Sequence, residues 1–199
     1  AVLLAAGVGA QSPIKKNNAE VHYHLGLNYY HGLGDPPDYP KAVDQFQRAA
    51  DLDLAKAQGM LGQCYLKGKG VPRDPRQAAT WLTRAGMGGD KIAQFNLGTL
   101  YTAGEGVPRD LTGARQWYLK AAAQGHTAAM ANIGVLYETG LGVKQDFAQA
   151  FKWYTMAAKP GLPTAQCNLG QLYATGRGVQ ADPAKAAEWY LKAANQGYG

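Results

Sequence analysis

Three of the four histidines, two cysteines, five glycine pairs and a single serine are the residues of this 199-residue chain whose types and spacing could do chemistry. His22, His24 and His31 crowd one stretch. On a helix His24 and His31 share a face and His22 diverges from it. Two histidines without a third ligand nearby make a poor metal site, so the pair reads as solvated or partner-contacting, and no metal or cofactor is expected. Cys64 and Cys167 are too few for a disulfide framework or a four-ligand zinc site. The pairs Gly32/Gly34, Gly68/Gly70, Gly104/Gly106, Gly140/Gly142 and Gly176/Gly178 give G-x-G, but none continues into a phosphate-binding G-x-G-x-x-G or G-K-[ST]. Ser12-Pro13-Ile14-Lys15 has the S-x-x-K spacing of an acylating serine and its lysine, yet it contains a proline and lacks S-D-N and K-T-G partners. A β-lactam or peptidoglycan hydrolase is therefore disfavoured. Glu138 is the only acid on the edge of the first-helix groove described below, and one carboxylate does not make a general acid/base pair.

The elements that carry these residues repeat every 36 positions. Leu25-Gly26 returns as Leu61-Gly62, Leu97-Gly98, Ile133-Gly134 and Leu169-Gly170, and Tyr29, Tyr65, Tyr101, Tyr137 and Tyr173 form a second column. Asp38, Asp74, Asp110, Asp146 and Asp182 follow the glycine pairs, then Ala42, Ala78, Ala114, Ala150 and Ala186. Trp81, Trp117, Trp153 and Trp189 complete the ladder, with Gln45 in that slot of the first unit. The units are 21–56, 57–92, 93–128, 129–164 and 165–199. Such self-similarity is the mark of a repeat architecture.

Each unit reads as two helices and a loop. Ala93, Leu97, Leu100 and Tyr101 make one apolar helical face, and Gly98 beside it lets another helix approach closely. Gly104 closes the first helix and Asp110 caps the second, whose Ala114, Tyr118, Ala121 and Ala122 again share a face. Cys64 falls in the column of Leu100, Leu136 and Leu172 and reads as a core hydrophobe. Three repeat steps separate it from Cys167, beyond disulfide reach, so both thiols should be free.

The third unit, with Ala93-Gln-Phe-Asn-Leu-Gly-Thr-Leu-Tyr, Gly104-Glu-Gly-Val-Pro-Arg-Asp and Trp117-Tyr-Leu-Lys-Ala-Ala-Ala-Gln-Gly, resembles the Sel-1-like repeat family, relatives of tetratricopeptide repeats. The likeness covers 21–199. It implies an all-α, right-handed superhelical solenoid of five helix–loop–helix repeats whose first helices line the concave face. It also implies a non-catalytic scaffold or adaptor that binds a protein or peptide; some members are implicated as periplasmic immunity proteins that neutralise a secreted toxic effector.

With the Leu/Tyr stripe turned to the core, the groove-facing residues are Tyr23, His24, Leu27, Tyr30 and His31 in the first unit, and Met60, Gln63 and Lys67 in the second. Phe95, Asn96, Thr99, Asn132, Asn168 and Gln171 continue the face. Asn96, Asn132 and Asn168 either grip an extended peptide backbone or satisfy neighbouring helix ends. Tyr23, Tyr30 and Phe95 are of types enriched at binding hot spots. The net charge of +6 is concentrated in the second unit. There Lys67, Lys69, Arg73 and Arg76 form a basic patch suited to an acidic surface rather than to nucleic acid, which asks for a continuous stripe and exposed stacking rings.

Apolar residues 1–10 end in Val8-Gly9-Ala10 and read as a signal-peptide remnant, with 11–20 as leader or linker. Export to the periplasm or cell surface is expected, a cytoplasmic location if that segment is not a signal. No apolar run is long enough to span a bilayer. An uncovered last repeat would allow end-to-end self-association.

Overall fold

One aspartate per repeat ties both helices of the pair to the loop between them. Its backbone N–H donates to the carbonyl of the column tyrosine in the first helix, at 2.9 Å in all five repeats, from Asp38–Tyr29 to Asp182–Tyr173. Its carboxylate accepts from the first-turn N–H groups of the second helix, as Asp110 does from Thr112 and Gly113 at 3.0 Å each. Those N–H groups have no partner inside the helix, so the cap fixes where the second helix begins.

The structure is a computed structural model and describes residues 13–198. Its helices are α1 (Pro13–His31), α2 (Tyr39–Asp51), α3 (Ala55–Lys67), α4 (Pro75–Met87), α5 (Lys91–Ala103), α6 (Leu111–Ala123), α7 (Thr127–Thr139), α8 (Phe147–Ala158), α9 (Pro163–Thr175) and α10 (Pro183–Ala194). No strand occurs among the described residues. The fold is an all-α helical repeat in which α1 pairs with α2, α3 with α4, and so on to α9 with α10. The chain divides into two compact units, the first ending at Gly88 and the second beginning at Gly89. In the first, α2 also packs on α3; in the second, α6 packs on α7 and α8 on α9.

The glycine in each Leu-Gly step makes the pairing tight. A Cβ on Gly62 would lie 2.5 Å from Leu82 Cγ, one on Gly134 2.5 Å from Tyr154 Cε1, and one on Gly26 2.6 Å from the Phe46 ring. Tyr118 stands against Gly98 in the same way, while in the last pair the contact is looser, 3.0 Å from a Cβ on Gly170 to a Tyr190 that is 41% exposed. The separations in the first four pairs are sterically inaccessible to real atoms, so there the second helix seats its largest core residue directly on first-helix backbone. Phe46, Leu82 and Tyr154 are completely buried as a result. Stacking of successive pairs uses the second loop glycine. Gly142, at φ 71°, would place a Cβ 2.5 Å from that of Leu111, at the start of the preceding second helix.

Side chains from the loop finish the first helices. Arg73 Nε donates to Leu66 O at 3.1 Å, Arg109 Nε to Thr102 O at 3.1 Å, and Gln145 Nε2 to Glu138 O at 2.7 Å. Each satisfies a last-turn carbonyl that the helix leaves open.

Three features differ from the sequence reading. Helix α1 begins at Pro13, inside the stretch expected to be linker, because proline suits a first turn and Ala19 is buried. The pairs begin at Ala55, Lys91, Thr127 and Pro163, two residues ahead of the units drawn from the alanine column, since that alanine is the first buried residue rather than the first helical one. Leu25 is 37% exposed, whereas Leu61, Leu97, Ile133 and Leu169 in its column are buried. The cleavage-like Val8-Gly9-Ala10 and Ser12 lie outside the described residues.

Removing one cap should be measurable. Asp110→Ala is expected to lower stability by about 1 kcal/mol in urea denaturation, while Asp110→Asn, which keeps an acceptor, retains most of it.

Candidate functional site

In the second unit α5, α7 and α9 present matching residues at 36-residue intervals: Asn96 and Thr99, Asn132 and Val135, Asn168 and Gln171. Thr99, Val135 and Gln171 are exposed and the asparagines half-buried. Between α5 and α7 lies a socket of about 280 Å³. Ala103, Val135, Leu136 and Leu141 supply apolar walls, and Thr99, Thr102, Tyr118 and Asn132 supply hydroxyl and amide groups. The Tyr118 hydroxyl lies 3.3 Å from Thr102 Oγ1 and donates to Thr99 Oγ1 at 3.4 Å, which ties the core tyrosine to the socket.

One repeat further on, the corresponding hydroxyl is used internally. Tyr154 Oη donates to Glu138 Oε2 at 2.6 Å, and the Asn168 amide donates to the same hydroxyl. Burial, then the Glu138 carboxylate, raises the Tyr154 pKa far above the usual tyrosine value and keeps the phenol a donor. Glu138 is thus a partner of the core tyrosine. Asn168 also serves this tyrosine, a contact other than the helix-end bond open to the asparagine ladder.

The first unit gathers its aromatic residues into a knot. Tyr23 and Tyr30 pack on Phe46 at ring separations of 6.1 and 6.2 Å, and Tyr30 meets Tyr39 edge-on at 5.3 Å. Lys69 Nζ sits 4.8 Å from the Tyr30 ring centre and 4.6 Å from that of Tyr39, and donates to the Tyr39 hydroxyl at 3.3 Å. Two members of the basic patch, Lys69 and Arg73, therefore brace the fold, while Lys67 and Arg76 are exposed. Leu27 and Met60 pack partly against this core, and Gln63 is half-buried.

His22 Nδ1 is 2.8 Å from Gln45 Oε1. His24 is exposed with Glu20 at 3.9 Å, and the exposed His31 stands edge-on to Tyr30 at 5.2 Å. Among the described residues no group of three histidines, cysteines or acids could hold a metal. Cys64 and Cys167 are free. Burial pushes the Cys64 thiol up to about 11, which leaves it protonated and unreactive.

Phe95 has a structural contact that its groove position did not reveal. Its ring stacks on His126 at 4.5 Å with 19° between planes, and lies 5.9 Å from Tyr118. His126 caps α7, with Nδ1 accepting from Ala129 N at 3.2 Å. Burial, then Lys91, lowers its pKa below the ordinary value of 6.5.

Sequence reasoning also missed a buried glutamine column. Gln58 donates to Ala50 O at 3.4 Å and Gln166 to Ala158 O at 3.3 Å, each binding the preceding second helix near its end. Gln94, buried in the same column, accepts from Gln124 at 2.9 Å. The signal was present as glutamine at 36-residue spacing. A second departure is Arg115, which stands where other repeats have Val43, Ala79, Phe151 and Ala187.

The His126 cap gives a pH signature. Folding favours the neutral ring, so as pH falls through about 6.5 the unfolded chain takes up the proton first and stability declines until the folded ring is protonated too. The urea midpoint should fall between pH 7.5 and 5.5, and His126→Asp, which keeps an acceptor over that range, should remove much of the decline.

The Sel1 repeat model matches residues 19–54, 55–90, 91–126, 127–161 and 163–198. Among solved structures, the chain is similar over 92% of its length, at 36% identity and a TM-score of 0.87, to c5321, a protective antigen present in uropathogenic Escherichia coli strains that displays an SLR fold; it covers 39% of that chain. It is similar over 94% of its length to a Sel1 repeat protein from Oxalobacter formigenes, at 39% identity and a TM-score of 0.86, covering 76% of that chain. Comparison with curated proteins yields no match.

Proposed function

Because this chain belongs to the Sel1 repeat family, we propose that it is a non-catalytic scaffold that binds a protein or peptide on the first-helix face of its repeats. The observation that carries this reading is the socket between α5 and α7. Its apolar walls suit one aliphatic or aromatic side chain, and the Asn132 amide at its edge offers a donor and an acceptor to the backbone that bears it. The Thr99 and Thr102 hydroxyls donate to Phe95 O and Gly98 O of their own helix. A peptide held this way combines one buried anchor with hydrogen bonds that fix its direction. Against a hydrolytic role stand the engagement of Glu138 by Tyr154 and the raised pKa of Cys64. The apolar leader ending at Ala10 supports an exported protein, with a partner in the envelope or outside the cell.

Affinity capture from an envelope extract tests the reading. The full chain is compared with Val135→Arg, which puts a charge at the socket mouth on a residue already 38% exposed and should leave the melting temperature unchanged. A partner retained by the parent chain and reduced at least about tenfold by the substitution is the expected result. Equal retention by both proteins would contradict binding at this face.

A further inference from the structure

Two cations that break the repeat pattern converge on one cleft. Repeat columns place an apolar residue or alanine at position 115, as in Val43, Ala79, Phe151 and Ala187, and an uncharged residue at position 144, as in Pro36, Pro72, Pro108 and Gln180. Instead Arg115 of α6 and Lys144 of the next loop line a cleft of about 620 Å³ together with Tyr137, Gln145 and Asp146. Stacking of the repeats demands neither charge, since the other repeats stack without them.

The groups around the two cations are largely committed. Asp146 accepts from Gln149 N at 3.0 Å to cap α8, and Gln145 donates to Glu138 O at 2.7 Å. Arg115 Nε is buried and has no hydrogen-bond acceptor among the described residues. Buried donors are nearly always paired, and a guanidinium meets a carboxylate through two parallel N–H···O bonds. Two cations and one carboxylate leave the cleft a single positive charge, which a monoanion balances and a phosphate dianion exceeds.

We propose that the cleft between Arg115 and Lys144 binds a carboxylate carried on an acidic peptide segment. The cleft is far larger than a carboxylate alone, and the remaining space beside Tyr137 and the loop backbone holds the chain that bears it. The site shares no lining residue with the socket between α5 and α7, so it stands or falls separately from the function proposed above.

The test follows the Arg115 Nε–H resonance by ¹⁵N-edited NMR in the full chain at constant ionic strength. The probes are a capped Ala-Glu-Ala-Ala peptide, its Ala-Gln-Ala-Ala counterpart, sodium acetate and inorganic phosphate. The Glu peptide should shift the resonance saturably and the Gln peptide should not, with acetate weaker than the Glu peptide. Backbone amides of the Val143–Asp146 loop should give at least about tenfold weaker Glu-peptide binding for Arg115→Lys, which keeps the charge but loses the planar fork. Lys144→Pro installs the residue other repeats already accept and should also weaken binding. No shift with the Glu peptide, or equal affinity in the parent chain and Arg115→Lys, would overturn the site. Acetate binding as tightly as the Glu peptide would overturn the peptide as carrier, and tighter phosphate binding would overturn the choice of a monoanion.

Discussion

The close approach between a first-helix glycine and the large residue of its partner helix is the constraint on which the rest of the fold depends. At Gly62 and Gly134 the neighbouring side chain occupies the place where a Cβ would stand. This contact sets the separation within each helix pair. The aspartate that follows sets their connection, by joining the tyrosine carbonyl of the first helix to the opening turn of the second. The pairs then stack through small residues. Ala49, Ala50 and Ala57 in the first unit, and Ala121, Ala122 and Ala129 in the second, are buried where a pair meets the next.

A frame held by backbone, glycine and alanine leaves other columns free to vary. At Tyr118 and Tyr154 the first helix meets the tyrosine hydroxyl with Thr102 or Glu138, whereas in the last repeat, whose second helix brings Tyr190, that column holds Ala174. Where the second helix brings Phe46 or Leu82, which have no hydroxyl, the same column holds Tyr30 or Leu66. Thr102 and Tyr118 both line the socket between α5 and α7.

The frame was legible in the sequence because each framework residue recurs five times for one physical reason. The positive-φ loop glycines, the capping aspartates and the buried alanines needed only the 36-residue register. The role of individual surface residues was not legible in the same way. Arg73 reads as part of a charge cluster until its Nε is seen on a helix-ending carbonyl, and Lys69 until its ammonium is seen between two tyrosine rings. Phe95 looks like an exposed anchor until His126, 31 residues on, is found stacked upon it. These contacts run between elements, and a register within one element carries no information about them. Departures from a column, such as Arg115 and Lys144, were readable in principle, because the column states what the fold requires and the exception shows what it does not.

The most direct test of the glycine constraint is a double-mutant cycle on Gly62 and Leu82, followed by urea denaturation. In the parent chain Gly62→Ala is expected to destabilise by about 1–3 kcal/mol, because the added methyl meets Leu82 Cγ. In a Leu82→Ala background the side-chain obstacle is gone and only the backbone N of residue 82 remains near, at 3.3 Å, so the same substitution should stabilise by up to about 1 kcal/mol, as alanine does over glycine within a helix. That reversal of sign is the result the account requires. Additive effects, with Gly62→Ala costing the same in both backgrounds, would contradict it.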